Sequence, residues 1–409
     1  MSHAGSAAII TIGSELVDGL RVDTNTAEIA RALGRFGFRV TEAISVGDSE
    51  DAVADVLRRV TAEYALVITT GGLGPTHDDV TRDAAASALG IALQRDAGVA
   101  AALQPAIARH TDARSAADIL TQALVLRGAE LLLPTTGTAP GQIVDTPGGQ
   151  LVLLPGPPSE MRPMLTRVLQ RFEVSVAEPR ELGVTGMAES DVQHGAQRAL
   201  VAFPGTILTV LAKPGDVRVL IIDDGAGENQ LDEAATAVAA ELGDACYSVR
   251  GETLAETLVA TAGVRGLTLA TAESCTGGMV AAAITDVPGS SAMFCGGIVA
   301  YANNAKRDLL GVSADTLAAY GAVSAQVASE MAQGARDRYG VDLAVATTGI
   351  AGPGGGTVDK PVGLVWFSIA SAGPTMAVER RFLGGSRDSV RSRATAAALD
   401  LLRLAARQP

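Results

Sequence analysis

The chain has 409 residues, 47% hydrophobic and 3% aromatic content, and a formal charge of −13, a size that predicts two or three separate cores. Acidity with so few rings excludes both a phosphate-backbone footprint and a base-stacking platform, so nucleic acid is not an expected partner. No apolar run approaches the thickness of a bilayer and the opening MSHAGSAAIITIG has no secretory pattern, so no membrane partner is expected and the cytoplasm is the expected location. The cysteines Cys246, Cys275 and Cys295 cannot pair fully and lack zinc-ligand spacing, as suits a reducing compartment. Anionic small ligands remain allowed, because a local nest of N–H groups or one arginine holds them whatever the global charge.

Residues 1–173 alternate strand and helix signals. Ala7 to Ile12 reads as a strand, and a helix starts near Asp23-Thr24-Asn25 with Ile29, Leu33 and Phe36 on one face. Tyr64 to Thr70 is a second strand ending in Gly71-Gly72, and Leu151 to Leu154 a third ending in Pro155-Gly156-Pro157-Pro158. Strands that each run into a Gly/Pro turn and a helix predict a parallel α/β sheet with its binding crevice at the strands' C-terminal ends. GGLGPT, with Gly71, Gly72 and Gly74, is neither a P-loop nor a dinucleotide fingerprint, and by itself says only that a tight turn precedes a helix. Asp78 and Asp79 then head a predicted helix, and Glu160 follows the second turn; capping and the helix dipole alone would favour acids there.

Residues 174–250 have another rhythm: strand-like Leu182 to Thr185, a helix from Glu189, strands near Ile207 to Leu211 and Val217 to Ile222, and a helix from Gln230. This predicts a small α+β split βαβ unit. Five Lys/Arg against twelve Asp/Glu give it a charge of 5 − 12 = −7, as expected of a spacer or dimer-forming module.

From Gly251 a third α/β unit begins, and the polar Arg250-Gly251-Glu252 junction is one that few contacts should cross. Within it, TAESCTGG, residues 271–278, drops Ser274 between strand-like Leu267 to Ala270 and helix-like Met279 to Ile284. Two glycines there permit a sharp bend that exposes a nucleophile and aims the helix's free N–H groups at an anion or a developing oxyanion. The plainer alternative is a serine that only caps a helix. Cys275 is a rival nucleophile, since thiolates are potent at helix N-termini, or else a packing residue. Tyr301 and Lys306 lie nearby in GGIVAYANNAK, and TTGIAGPGGGTVDKPVG follows at 347–363.

These three C-terminal blocks resemble the C-terminal domain of the CinA family, the nicotinamide mononucleotide deamidases, over residues 251–409. The resemblance places the family's serine, tyrosine and lysine on Ser274, Tyr301 and Lys306. It implies amide hydrolysis without a cofactor: Ser274 attacks, and Lys306 serves as base, relayed through Tyr301, since this segment offers no Ser-His pair. Lys306 would need a lowered pKa, by burial or a neighbouring cation; the alternative is a surface lysine near a helix end. Backbone N–H groups of Thr276, Gly277 and Gly278 would serve the oxyanion, while Thr348, Gly349 and Gly352 would hold ribose or phosphate. Of Arg387, Arg391 and Arg393, Arg387 is favoured as the phosphate-binding arginine, at the mouth of the predicted last helix.

IGSELVDGLRVDTN, GGLGPTHDDVT and LPGPPSEM resemble the N-terminal domain of the same family, similar in fold to molybdopterin-binding enzymes, a three-layer domain over residues 1–173. That implies an ADP-ribose pyrophosphatase using a divalent metal such as Mg, with Gly71, Gly72 and Gly74 near the phosphates. Asp79 matches the functional aspartate of those relatives, Asp48 is the second carboxylate, and Asp78 and Glu160 are supporting metal ligands. In such proteins residues 174–250 resemble a KH-type module, here without the GXXG loop that clamps nucleic-acid backbone. The expected partners are thus nicotinamide mononucleotide, ADP-ribose and a second copy of the chain.

Overall fold

The computed structural model describes residues 5–109, 113–173, 177–382 and 384–407, which fall into two compact units, Met1–Ala177 and Glu178–Pro409. In the first unit, β1 (Ser6–Ile12) is buried on both faces from Ala7 onward, as a central strand of apolar residues must be. Around it stand β2 (Arg39–Val46), β3 (Leu66–Thr70), β4 (Glu130–Leu132), β5 (Gly141–Asp145) and β6 (Gln150–Leu154) in the order β2-β1-β3-β6-β5-β4. The first four in that order are mutually parallel, and β5 and β4 continue antiparallel. Helices α1 (Asn25–Gly34), α2 (Glu50–Glu63), α3 (Thr81–Leu89) and α4 (Pro158–Leu169) contribute to cores on the two sheet faces, giving three layers. Ile29 and Leu33 of α1 are buried as predicted, whereas Phe36 lies beyond the helix end.

The second unit opens with β7 (Arg180–Val184), α5 (Glu189–Leu200), β8 (Thr206–Lys213), β9 (Asp216–Asp223), α6 (Glu228–Leu242) and β10 (Cys246–Ser248). The sheet order β8-β9-β7-β10, antiparallel throughout, is the split βαβ arrangement that the alternation predicts. One expectation needs correction: a GXXG spacing does occur, at Gly183-Val184-Thr185-Gly186. It runs out of β7 instead of joining two helices, and α5 and α6 are separated by the β8–β9 hairpin, so no helix-to-helix backbone clamp forms.

The remainder comprises α7 (Leu254–Arg265), β11 (Leu269–Glu273), α8 (Met279–Thr285), β12 (Phe294–Val299), α9 (Asn303–Leu310), α10 (Ala325–Tyr339), β13 (Leu343–Gly349), β14 (Leu364–Ala370), β15 (Met376–Arg381) and α11 (Arg387–Arg407). Its sheet runs β12-β11-β13-β14-β15, parallel for the first three strands and antiparallel for the last two. α7, α8 and α11 cover one face, and α9 and α10 the other. The start of α7 is fixed by a capping box, Thr253 Oγ1 accepting from Glu256 N–H and Glu256 Oε2 from Thr253 N–H.

The junction near Gly251 is not the open linker its composition predicts. Arg218 Nη1 donates to the carbonyls of Gly251 and Glu252 at 3.1 and 3.2 Å. Tyr247 shares a core with Leu254 and Leu258. Arg403 of α11, fully buried, donates through Nη2 to the Asp244 carbonyl at 2.7 Å. The middle module and the last α/β module are therefore packed as one body, consistent with their single unit. No helix among the described residues is long and apolar enough to cross a membrane.

Candidate functional site

Strand β11 ends at Glu273, and the chain turns over the sheet before entering α8, which brings Ser274 to the C-terminal end of the parallel strands. The turn is pinned: Ser274 N–H donates to the Thr347 carbonyl at 2.9 Å, and the Thr276 and Thr347 hydroxyls lie 2.7 Å apart. Positive φ at Gly277 (62°) and Gly278 (94°) carries the bend, which side-chain-bearing residues rarely adopt. A cleft of about 290 Å³ opens beside it, lined by Ser274, Tyr301, Lys306, Thr348, Gly349 and Arg387 among others.

Lys306 sits on the inward face of α9 and is 1% exposed, which excludes the surface-lysine alternative. Its Nζ stands 3.1 Å from Ser274 Oγ, 2.8 Å from the Ala300 carbonyl and 3.1 Å from the Tyr301 carbonyl. A neutral amine satisfies this geometry: two N–H bonds reach the carbonyls and the lone pair is left for the serine proton. Burial lowers the Lys306 pKa from its ordinary value.

The Tyr301 hydroxyl does not stand between Lys306 and Ser274 in this structure. The residue is 62% exposed and its hydroxyl accepts from Arg387 Nη2 at 3.0 Å, so its contact with Lys306 is through the backbone carbonyl. Arg387 is the arginine that lines the cleft, its Nη1 anchored on the Gly352 carbonyl at 2.7 Å. Arg391 instead holds the Ser274 turn, donating to the Thr276 carbonyl at 2.9 Å, and Arg393 bonds Ser389 within its own helix.

The expected oxyanion donors are corrected. Gly277 N–H donates to the Ser274 carbonyl, and Gly278 N–H donates to the Glu273 carboxylate at 2.9 Å. Neither glycine nor Thr276 lines the cleft. Thr348 and Gly349 do, although Thr348 Oγ1 already donates to the Ala322 carbonyl at 2.7 Å. Cys275 lines the cleft too, but burial pushes its thiol up to about 11, so at neutral pH little of the reactive thiolate exists.

In the first unit a cleft of about 490 Å³ lies at the C-terminal ends of β1, β3 and β6, where the strand pattern predicts it. Asp48, Asp78, Asp79 and Glu160 all line it, as do Gly71, Gly72 and Gly74. Gly71 is required by close approach, since a Cβ there would stand 2.1 Å from the Ile12 carbonyl oxygen. The four carboxylates do not converge: among the described residues no three Asp, Glu, His or Cys side chains are placed to hold a metal ion. Asp79 is consumed by its own loop, Oδ1 accepting from Gly74 N–H at 2.7 Å and Oδ2 from Thr76 N–H at 2.8 Å and from the Thr76 hydroxyl. Asp48 Oδ2 accepts from Ser14 N–H at 2.8 Å, Asp78 is exposed at the lip, and burial raises the Glu160 pKa. The carboxylates among the described residues thus form no all-protein metal cage.

Sequence reasoning passed over several residues that build these sites. Asn25 bridges Thr70 Oγ1 and the Gly156 carbonyl at 2.9 and 2.8 Å, tying two strand ends together. Buried Arg82 donates to the Leu73 and Gly74 carbonyls at 2.6 and 3.0 Å and so staples the glycine loop. Glu273 was hidden inside TAESCTGG; an acid at a strand end just before a glycine turn and a helix is its signal.

A three-layer α/β unit with a cleft at its strand ends, followed by an α/β module carrying a buried Ser–Lys pair, defines the class to which the comparisons point. Residues 8–173 match the model of the probable molybdopterin binding domain, and residues 251–406 match the CinA C-terminal domain. A CinA-like protein of Acidobacterium capsulatum is 37% identical over 97% of this chain and 99% of its own length. Another, from Chlorobaculum tepidum, is 40% identical over 96% and 97% respectively. Among solved structures, the competence/damage inducible protein CihA from Agrobacterium tumefaciens is 46% identical over 38% of this chain and 94% of that one, with a TM-score of 0.37. The chain belongs to the CinA family.

Proposed function

We propose that the C-terminal cleft hydrolyses nicotinamide mononucleotide to nicotinate mononucleotide and ammonia. The observation that carries this reading is the 3.1 Å approach of buried Lys306 Nζ to Ser274 Oγ. The Lys306 lone pair takes the serine proton as Oγ bonds to the carboxamide carbon; the protonated amine then hands that proton to the leaving ammonia. Water cleaves the resulting ester, and Ser274 regains its proton. Gly277 and Gly278 have spent their amides within the Ser274 turn, so the oxyanion would draw on other donors at the cleft. Incubation with nicotinamide mononucleotide and identification of both products tests the reaction.

Arg387 supplies the positive charge for the substrate's phosphate. Arg387→Ala is expected to raise KM for nicotinamide mononucleotide by about tenfold or more with a smaller effect on kcat. The phosphate-free riboside should be turned over equally by variant and parent. Steady-state kinetics on both substrates checks this, and an unchanged KM ratio would remove the arginine from phosphate binding.

For the N-terminal cleft we propose hydrolysis of ADP-ribose to AMP and ribose 5-phosphate with a divalent ion. Asp48 or Glu160, each lining the cleft, would hold the ion beside the substrate's own phosphate oxygens, and the ion would supply charge neutralisation of the pyrophosphate; Arg82 and Asp79 hold the glycine loop in shape. The saturated carboxylate of Asp79 favours a second reading, nucleotide binding without hydrolysis. EDTA is expected to stop ADP-ribose cleavage while deamidation continues. Asp79→Asn should weaken cleavage through a disordered loop, read as loss of ADP-ribose affinity. Products that persist in EDTA, or none with any divalent ion, overturn the hydrolytic reading. A dimer of this chain is proposed on the family resemblance, and sedimentation velocity reads it.

A further inference from the structure

Glu273 is 1% exposed, and a carboxylate so buried is costly unless its charge is met. Backbone meets it: Oε2 accepts from Gly278 N–H at 2.9 Å and Val280 N–H at 3.1 Å, and Oε1 from Ala281 N–H at 2.8 Å. These are donors that the first turn of a helix leaves without an intrahelical acceptor. The chain from Ser274 to Gly277 is thereby tied at both ends, to β11 on one side and to α8 on the other. Thr347 and Arg391 secure the middle of the same turn, at 2.9 Å each from the Ser274 amide and the Thr276 carbonyl.

We infer that Glu273 is a positioning residue for the nucleophile: by holding the first turn of α8 it fixes the Ser274 turn against Lys306. It also fills the positive end of the helix with the protein's own charge, so the substrate's phosphate is left to Arg387. This inference rests on the reading of Ser274 as nucleophile. Glu273 touches neither substrate nor reacting atoms in that reading, and acts through the backbone.

Two variants test it. Glu273→Gln keeps the shape but replaces one acceptor oxygen with an NH2 group that faces donors. Ala281→Pro deletes one of the donors and leaves the carboxylate in place, and proline is tolerated in the first turn of a helix. The readouts are far-UV circular dichroism, kcat and KM for nicotinamide mononucleotide, and the rate at which a fluorophosphonate labels Ser274, located by peptide mass spectrometry. In folded Glu273→Gln, labelling and kcat are expected to fall by about tenfold or more, with KM within about twofold. Ala281→Pro should fall between variant and parent in both rates. The pH midpoint of the residual activity should stay where it is in the parent, since the Ala300 and Tyr301 carbonyls that Lys306 meets are not part of the substituted turn. Labelling at the parent's rate in either folded variant overturns the inference. Slow labelling in the variants beside a parent that labels Ser274 yet turns over no nicotinamide mononucleotide sinks the proposed substrate and leaves the positioning role standing.

Discussion

Ser274→Ala is expected to lower the proposed deamidation by about a thousandfold or more while the chain keeps its fold, because donors that stabilise an oxyanion cannot replace the atom that forms the ester. The side chain is small and 8% exposed, so removing one oxygen leaves little cavity. Cys275→Ala retains most activity, since burial keeps that thiol protonated. Ammonia release, measured beside circular dichroism, checks both. An inactive cysteine variant beside an active serine variant reverses the assignment.

Lys306→Met is expected to cost about a hundredfold to ten-thousandfold in kcat, the span associated with loss of a general base, if Lys306 has the proposed role. Methionine is close in length and carries no charge, so the buried space stays filled while the Ala300 and Tyr301 carbonyls lose a donor. The sign of the pH dependence follows from the task. A protonated lysine cannot accept a proton, so activity rises with pH as Lys306 deprotonates. Burial lowers that ionisation below the ordinary value of a free lysine, so the rise comes earlier. The same shift makes the folded state prefer the neutral amine; the unfolded chain binds more protons between the two pKa values, and stability therefore increases with pH across that interval. A kcat/KM profile from mildly acidic to strongly basic pH reads the first effect. Near-normal turnover in Lys306→Met returns the proton to water.

Strands were legible where the pattern is apolar and bounded by Gly or Pro: Leu66–Thr70 and Gln150–Leu154 lie within a residue or two of their expected limits. Leu269–Glu273 begins two residues after Leu267 and runs past Ala270, where the apolar pattern stops, because polar Thr271 and Glu273 are buried in the sheet yet look like loop residues in the sequence. In the cleft, the identities of Ser274, Lys306 and Arg387 could be read from motifs, whereas the direct Lys–Ser contact and the outward turn of Tyr301 could not. Those depend on where α9 and α11 place their faces. Free amides at the start of α8 were expected from a rule about helix ends, and the rule holds. What no one-dimensional reading supplies is that Glu273, five residues before Gly278, folds back to satisfy them. Likewise Asp79 is a plausible metal ligand by residue type and spends its lone pairs on Gly74 and Thr76.

Helix α11 begins at Arg387 in the cleft, and Arg403 near its other end is locked to Asp244 of the middle module. At 1.5 Å per residue the rod is about 30 Å long. A lever of that length turns a tilt of about 2° at its seat into a displacement of about 1 Å at its tip, and an error of that size is enough to slow a well-aligned reaction by about a hundredfold. The acidic middle module thus anchors the far end of the helix that carries Arg387 into the cleft.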